Sequence, residues 1–298
     1  MAPKEDELRA KAAEFGQDHL FRFWEELDTG GREQLLADLE QVDFQLMDRL
    51  INNWIKQTPE AETFKKIDPV PCIPIVDPER PDAKEALAKG EEALRAGRVG
   101  LFLVAGGQGT RLGFDGPKGS YPIGGLTGKT LFQYHAEKII NLQERYGCIL
   151  PWYIMVSRAN GPATRAYFEE NNFFGLNKDD VFFITQHMVP CVDDNGKFML
   201  ETKDHLAMNP NGHGGCIQAM VERDVLADAR KRGIDTLSFF QVDNWAVKVA
   251  DPYFIGYHLL NEAEMPSKML RFESSGEDCR PKTRLEVELP GIHSREAR

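Results

Sequence analysis

The sequence predicts an α/β fold, a doubly wound and mostly parallel sheet preceded by an N-terminal helical extension. Three observations predict it. From about residue 99 to residue 264, segments with strand character alternate with segments of helical spacing, the pattern of crossover units around a parallel sheet. The run Leu101–Ala105 is apolar without interruption, as a strand covered on both faces is. It breaks directly into a loop containing Gly106, Gly107, Gly109, Gly113, Gly116 and Gly119, and ligand loops in open α/β sheets follow the carboxyl ends of strands.

Taken in order, residues 5–55 read as helical. Leu35, Leu36 and Leu39, then Leu46, Met47, Leu50, Ile51 and Trp54, recur at three- and four-residue spacing, and Asp28-Thr29-Gly30-Gly31 punctuates them. Residues 57–82 hold Pro59, Pro69, Pro71, Pro74, Pro78 and Pro81, too many for regular structure, so residues 1–80 are read as a helical extension followed by an extended linker. A helix is predicted over Asp82–Leu94 with Asp82 as its N-cap. Strand 99–105, the glycine loop and a helix over 129–145 follow, then strand 152–157, a helix near 162–171 and strand 181–186. A hairpin turns at Asn195-Gly196. A helix over 215–232, strand 236–242 and a helix over 252–264 complete a catalytic domain spanning 81–271. From Phe272 onward no apolar period is sustained, and residues 272–298 are read as a divergent or truncated tail.

The chain has 298 residues and carries a formal net charge of −11, which argues against a nucleic-acid or anionic-membrane surface. Any phosphate site must therefore rely on local cations. Five cysteines, Cys72, Cys148, Cys191, Cys216 and Cys279, are widely spaced without a Cys-x-x-Cys pair, so reduced thiols in a cytoplasmic protein are expected. No apolar run reaches the length of a membrane span.

The glycine loop carries two cations, Arg111 and Lys118. Glycines let backbone N–H groups approach a ligand, and successive N–H groups in such a turn form a concave anion site. With an arginine and a lysine beside it, the loop points to a polyphosphate. Two common phosphate loops fail on spacing. A Walker-type loop ending at Gly128-Lys129-Thr130 would need its first glycine at Ile123, and the dinucleotide fingerprint would need a small residue at Leu112.

What the loop does match is the GG-x-GTRLG pattern followed by Pro-Lys, at Gly106–Gly113 and Pro117-Lys118. With GQDHLFRFWEEL (16–27), PWYIMVS (151–157), NGHGG (211–215) and QVDNWAVKVADPYFIG (241–256), the chain resembles the UDP-N-acetylglucosamine pyrophosphorylases, a branch of the UDP-sugar pyrophosphorylase family. The resemblance implies a Rossmann-like nucleotide-sugar transferase. Its reaction joins UTP and a sugar 1-phosphate into a UDP-sugar and pyrophosphate, with N-acetylglucosamine as the first choice of sugar. UDP-glucose or broad UDP-sugar synthesis, and a truncated non-catalytic UTP-binding protein, remain open beside it. The family's downstream part, with an Asn-x-Gly-Asn-like motif, is expected to be missing here.

The resemblance also implies roles for particular residues. Arg111 and Lys118 are the catalytic cations, neutralising the triphosphate as pyrophosphate leaves. Val104, Ala105, Gly106 and Gly107 offer backbone groups to uracil and phosphates, and Gln186 reads the uracil edge. Gly212 admits the base to the backbone, with His213 beside it where the family pattern has Asn. Asp243, ending the apolar strand LSFFQVDN, contacts the nucleotide through Mg²⁺, with Asn244 next to it. Asp251, before Pro252, is read as a helix cap. No general base is sought, because the sugar phosphate is already anionic near neutral pH.

Overall fold

The computed structural model describes residues 2–57, 72–74, 77–271 and 284–288. Helices α1 (Ala2–Glu14), α2 (Thr29–Glu40) and α3 (Phe44–Leu50) are followed by strand β1 (Cys72–Pro74) and helix α4 (Pro81–Arg95). Then come β2 (Val99–Val104), α5 (Leu131–Tyr146), β3 (Trp152–Val156), α6 (Gly161–Glu170) and β4 (Val181–Thr185). Short strands β5 (Met188–Pro190), β6 (Leu200–Thr202), β7 (His205–Leu206) and β8 (Met208–Pro210) lead to α7 (Gly215–Glu222) and α8 (Val225–Lys231). Last are β9 (Thr236–Gln241), α9 (Pro252–Leu260), β10 (Ser267–Arg271) and β11 (Arg284–Glu288).

Two compact units result, Met1–Lys65 with His187–Gly214, and Lys66–Gln186 with Gly215–Arg298. Segment 187–214, which the sequence places in the catalytic domain, thus packs with the N-terminal helices. Its Phe198 and Leu206 are buried among Leu20, Leu35, Leu39 and Phe44. The buried Gln17 side chain donates to the Gly196 carbonyl at 3.0 Å and accepts from the Phe198 N–H at 2.9 Å. Asp38 accepts from the Leu206 N–H at 3.2 Å. The helices of this unit start where short acids can cap them, with Asp28 accepting from the Gly31 N–H and Asp43 from the Leu46 N–H.

In the second unit the central sheet has the order β4-β3-β2-β9 and every pairing is parallel. The apolar runs predicted this, since β2 and β3 are buried on both faces. Period-two alternation sends Leu101, Leu103, Trp152 and Ile154 into one core with Phe132, Ile139 and Phe168. Phe102, Tyr153 and Met155 face the other way, against Cys216, Ala219 and Val225. Helices cover both faces, as a doubly wound sheet requires.

Helices α4 and α9 meet at glycines. A Cβ on Gly256 would lie 1.7 Å from the Ala86 carbonyl oxygen, and one on Gly90 would lie 1.8 Å from that of Pro252. Across the same contact Asp82 accepts from the Tyr257 hydroxyl at 3.0 Å and from both the Nε and the Nη2 of Arg80.

Several sequence expectations are corrected. The cap of α4 is Arg80, because Pro81 takes the first helical position and Asp82 falls inside the first turn. The helix predicted over 215–232 is two helices, broken where Asp224 adopts φ +57°. Within the predicted linker, Cys72–Pro74 forms a strand pairing antiparallel with β11, which also pairs with β10. Pro59, Pro69 and Pro71, and positions 272–283 and 289–298 of the tail, lie outside the described residues. Asp251 does cap α9, accepting from the Tyr253 N–H at 3.1 Å.

His135 on α5 is fully buried and bonds through Nε2 to the Val242 carbonyl at 3.0 Å. That carbonyl can only accept, so Nε2 carries a proton. Burial pushes the imidazole down to about 4. The unfolded chain takes up this proton near the ordinary histidine value while the folded chain does not, so stability falls as pH drops from about 6.5 toward 4.

Two outcomes follow for stability. Gly256→Ala lowers the unfolding free energy by about 2–3 kcal/mol, whereas Gly125→Ala, with no atom in reach of its Cβ, changes it by less than about 0.5 kcal/mol; thermal melts of the two variants check this. Urea unfolding at pH 7 and pH 5 shows a loss of about 2 kcal/mol attributable to His135, and His135→Gln removes that part of the slope. An unchanged slope in the variant would contradict the neutral, buried assignment.

Candidate active site

The register of the sheet brings the site residues together. β2 and β9 run parallel with Val104 opposite Gln241, and the Val242 N–H donates to the Val104 carbonyl at 3.1 Å. Asp243 therefore emerges beside the start of the glycine loop. On the other side of β2, the Ala105 N–H donates to the Met155 carbonyl at 2.8 Å, and beyond β3 the Gln186 N–H donates to that of Val156 at 2.9 Å. The buried Gln186 amide reaches the loop, since a Cβ on Gly106 would stand 2.8 Å from its Oε1. A side chain at Gly106 would displace the group read as the uracil contact. The chain moves from β2 through β3 to β4 and then returns to place β9 on the far side of β2. This reversal makes the topological switch, and ligands bind at the crevice it opens.

The loop itself is a hairpin. The Gly109 N–H donates to the Gly116 carbonyl at 2.9 Å and the Lys118 N–H to that of Gly107 at 3.1 Å. The fold-back returns Lys118 to the sheet end, where its Nζ donates to Asp243 Oδ2 at 2.6 Å. Their side chains are 30% and 47% exposed, so the pair stands at the mouth of the crevice and not in the core. The Lys118 hydrogen bond holds the Asp243 carboxyl below the usual carboxylate range, outweighing desolvation. Asp243 is thus ionised at neutral pH. Arg111 lies on the exposed turn Thr110–Leu112 of the same loop and makes no ion pair with a described residue.

Asn244 is exposed in the turn after β9, where its N–H donates to the Gln241 carbonyl and its carbonyl accepts from the Val247 N–H. Val104 ends β2 half-buried, Ala105 is buried, and Gly107 is exposed. Gly212 and His213 belong to the other compact unit, exposed in the turn after β8, with Gly212 at φ +70°.

Four supporting residues were not singled out from sequence. Asn160, fully buried, donates through Nδ2 to the Ala105 carbonyl at 2.8 Å and the Gly107 carbonyl at 3.1 Å. Its Oδ1 accepts from the N–H of Ser157 at 2.8 Å and from the Ser157 hydroxyl at 3.0 Å. On α5, His135 holds the Val242 carbonyl as described, and Lys138 Nζ donates to the carbonyls of Trp245 and, at 3.0 Å, Val247. Burial lowers the Lys138 ammonium below its ordinary range. The backbone around Asp243 is therefore tied to α5 on both sides. An Asn, Ser, His or Lys carries no spacing signal for such bonds.

Among the described residues no group of three or more His, Cys, Asp or Glu side chains could by itself hold a metal. His205 instead lies 3.3 Å from Asp38. A single ionised carboxylate at Asp243 fits a hard cation whose remaining ligands are water and phosphate oxygens. No helix among the described residues is long and apolar enough to cross a membrane.

Residues 44–270 match the family model described as UTP–glucose-1-phosphate uridylyltransferase. Over 278 residues the chain is 35% identical to UDP-N-acetylglucosamine diphosphorylase 2 of Arabidopsis thaliana, covering 89% of this chain and 55% of the relative. Over 272 residues it is 38% identical to UDP-N-acetylglucosamine pyrophosphorylase of Saccharomyces cerevisiae, covering 87% and 57%. Its fold is similar to a crystal structure of the uridine diphosphate N-acetylglucosamine pyrophosphorylase from Trypanosoma brucei in complex with inhibitor. There the TM-score is 0.74 at 26% identity, with 97% of this chain and 67% of that one covered. The chain spans about half the length of the curated relatives it matches. With three-quarters of its length inside one family model and the loop, strand ends and cation pair arranged as above, the chain belongs to the UTP–glucose-1-phosphate uridylyltransferase family.

Proposed function

We propose that the chain is the nucleotide-binding part of a uridylyltransferase that forms UDP-N-acetylglucosamine and pyrophosphate from UTP and N-acetylglucosamine 1-phosphate. The names of its relatives support the choice of sugar. The observation that carries the reading is the pairing of Lys118 with Asp243 at 2.6 Å at the open end of the β2–β9 crevice. It puts one cation and one ionised carboxylate where a glycine loop and a buried amide already converge.

In this reading the uracil lies against the Gly106 backbone and the Gln186 amide. The triphosphate follows the loop toward Lys118. A phosphate oxygen of the sugar 1-phosphate bonds to the α-phosphorus of UTP as the bond from that phosphorus to the bridging oxygen breaks, and pyrophosphate leaves with the electron pair. Lys118 holds charge at the α-phosphate, and Arg111, with no ion-pair partner among the described residues, meets the departing pyrophosphate through its two-pronged guanidinium. Positioning and charge neutralisation supply the catalysis, and no proton need be removed from the nucleophile. Asp243, with Asn244 beside it, would hold a Mg²⁺ ion, which neutralises phosphate charge when bound. Triphosphate oxygens compete with Asp243 for Lys118 and so free the carboxylate. A net charge of −11 disfavours nucleic acid as a partner. The free thiols of Cys148, Cys191 and Cys216 suit a reducing, cytoplasmic setting.

Two measurements test this. Pyrophosphate release from UTP and Mg²⁺ is expected with N-acetylglucosamine 1-phosphate in preference to glucose 1-phosphate, and Arg111→Ala lowers it by about 10²-fold; unchanged turnover in that variant would sink the assignment. Lys118→Met lowers turnover to a similar degree, yet costs no more than about 1 kcal/mol of stability because an exposed ion pair contributes little to folding. Equal and large losses of stability and turnover would instead make the pair a structural one.

A further inference from the structure

Asn160 lies at the start of α6 and outside the glycine loop, but every hydrogen bond its side chain makes among the described residues goes to that loop or to Ser157. The bonding pattern fixes which end of the amide faces which way. The Ser157 N–H can only donate, so the atom 2.8 Å from it is the oxygen Oδ1. The carbonyls of Ala105 and Gly107 can only accept, so Nδ2 is the atom that meets them at 2.8 Å and 3.1 Å. One buried side chain thus draws in two carbonyls that are two residues apart.

The consequence follows from the planar trans peptide. In each such unit the carbonyl and the following N–H point in opposite directions. With the Ala105 and Gly107 carbonyls turned toward Asn160, the N–H groups of Gly106 and Gln108 are turned away from it. Neither of these N–H groups, nor that of Gly107 between them, makes a backbone hydrogen bond with a described residue. The Gly107 carbonyl is doubly held, accepting from the Lys118 N–H as well, so the loop cannot rotate this peptide without losing both bonds. Successive N–H groups presented in this way form a site for an anionic or carbonyl oxygen.

We propose that Asn160 is a positioning residue for nucleotide binding. By holding the Ala105 and Gly107 carbonyls it aims the Gly106 and Gln108 N–H groups at UTP, and Ser157 in turn fixes the orientation of Asn160. This rests on the reading of the loop as the UTP site. Asn160 itself touches no substrate; its effect passes through the backbone.

The test uses the full chain, UTP as the probe, and two kinds of readout. Calorimetric titration compares wild type with Asn160→Asp, which keeps the Oδ1 acceptor for Ser157 and loses both donors, and with Asn160→Ala. UTP affinity is expected to fall about tenfold or more in each, while binding of inorganic pyrophosphate, which needs mainly the Lys118 and Arg111 charges, falls less than threefold. A general loss of structure would weaken both ligands alike, and that result overturns the proposal, as does UTP binding within twofold of wild type. In wild type, where folding of a variant plays no part, amide NMR on adding UTP is expected to move the Gly106 and Gln108 N–H resonances. Saturation with UTP that leaves both in place overturns the proposal while leaving the UTP site intact. Failure of wild type to bind UTP at all overturns the function reading and the proposal with it.

Discussion

The parallel pairing of β2 with β9 is the constraint on which the rest of the site depends. β2 is buried on both faces, so its register against β3 and β9 is set by core packing on two sides at once. A slip of one residue would send Leu101 and Leu103 to the face that Phe102 now occupies. Because that register is held, Gln241 lies opposite Val104 and the Val242 N–H reaches the Val104 carbonyl, so Asp243, two residues beyond β9, must emerge beside the start of the glycine loop. The hairpin of the glycine loop then has only to fold back once to return Lys118 to the same place. Burial far from the crevice is what aligns charges within it.

Electrostatically the site is a local exception to the chain. A net charge of −11 repels a triphosphate at long range, but screening limits that repulsion to about 8 Å at physiological ionic strength. Inside that distance Lys118, Arg111 and the loop N–H groups that make no backbone hydrogen bond with a described residue dominate. Lys118 is paired and Arg111 makes no ion pair among the described residues, so the two cations are prepared differently. The paired lysine keeps Asp243 ionised and its own ammonium in a defined position, whereas the arginine stands exposed on its turn. An exposed ion pair such as Lys118–Asp243 adds little to folding.

The sheet was legible in the sequence because its physics is local: uninterrupted apolar runs mark β2 and β3, and glycines mark the loop between β2 and α5. The placement of Lys118, Gln186 and Asp243 at the open end of the sheet was legible because each lies just beyond a strand or at the end of the glycine loop. What was missed depends on tertiary contact. Asn160 reads as an ordinary helix-start residue, and nothing in its neighbours says that its amide reaches back to Ala105 and Gly107. β1 is three residues ending in proline, visible only through its pairing with β11. The break at Asp224 lies within a helical pattern that continues across it, and segment 187–214 follows β4 in sequence while its apolar side chains complete the core of the N-terminal helices.

The end of the β2–β9 ladder shows how folding and binding are joined. Continued parallel pairing would next take the Gly106 N–H to the Val242 carbonyl. That carbonyl is held by His135 instead, and no such bond forms. Lys138, one turn along α5, takes the carbonyls of Trp245 and Val247 in the same way. Backbone acceptors just past a strand must find partners if they are buried, and α5 supplies those partners from its side chains. Asn160 does the corresponding work for the Ala105 and Gly107 carbonyls. The acceptors on both sides of the crevice are thus satisfied from behind, and the donors of the glycine loop are left facing it. A sheet that ran one residue further would spend the Gly106 N–H on the Val242 carbonyl.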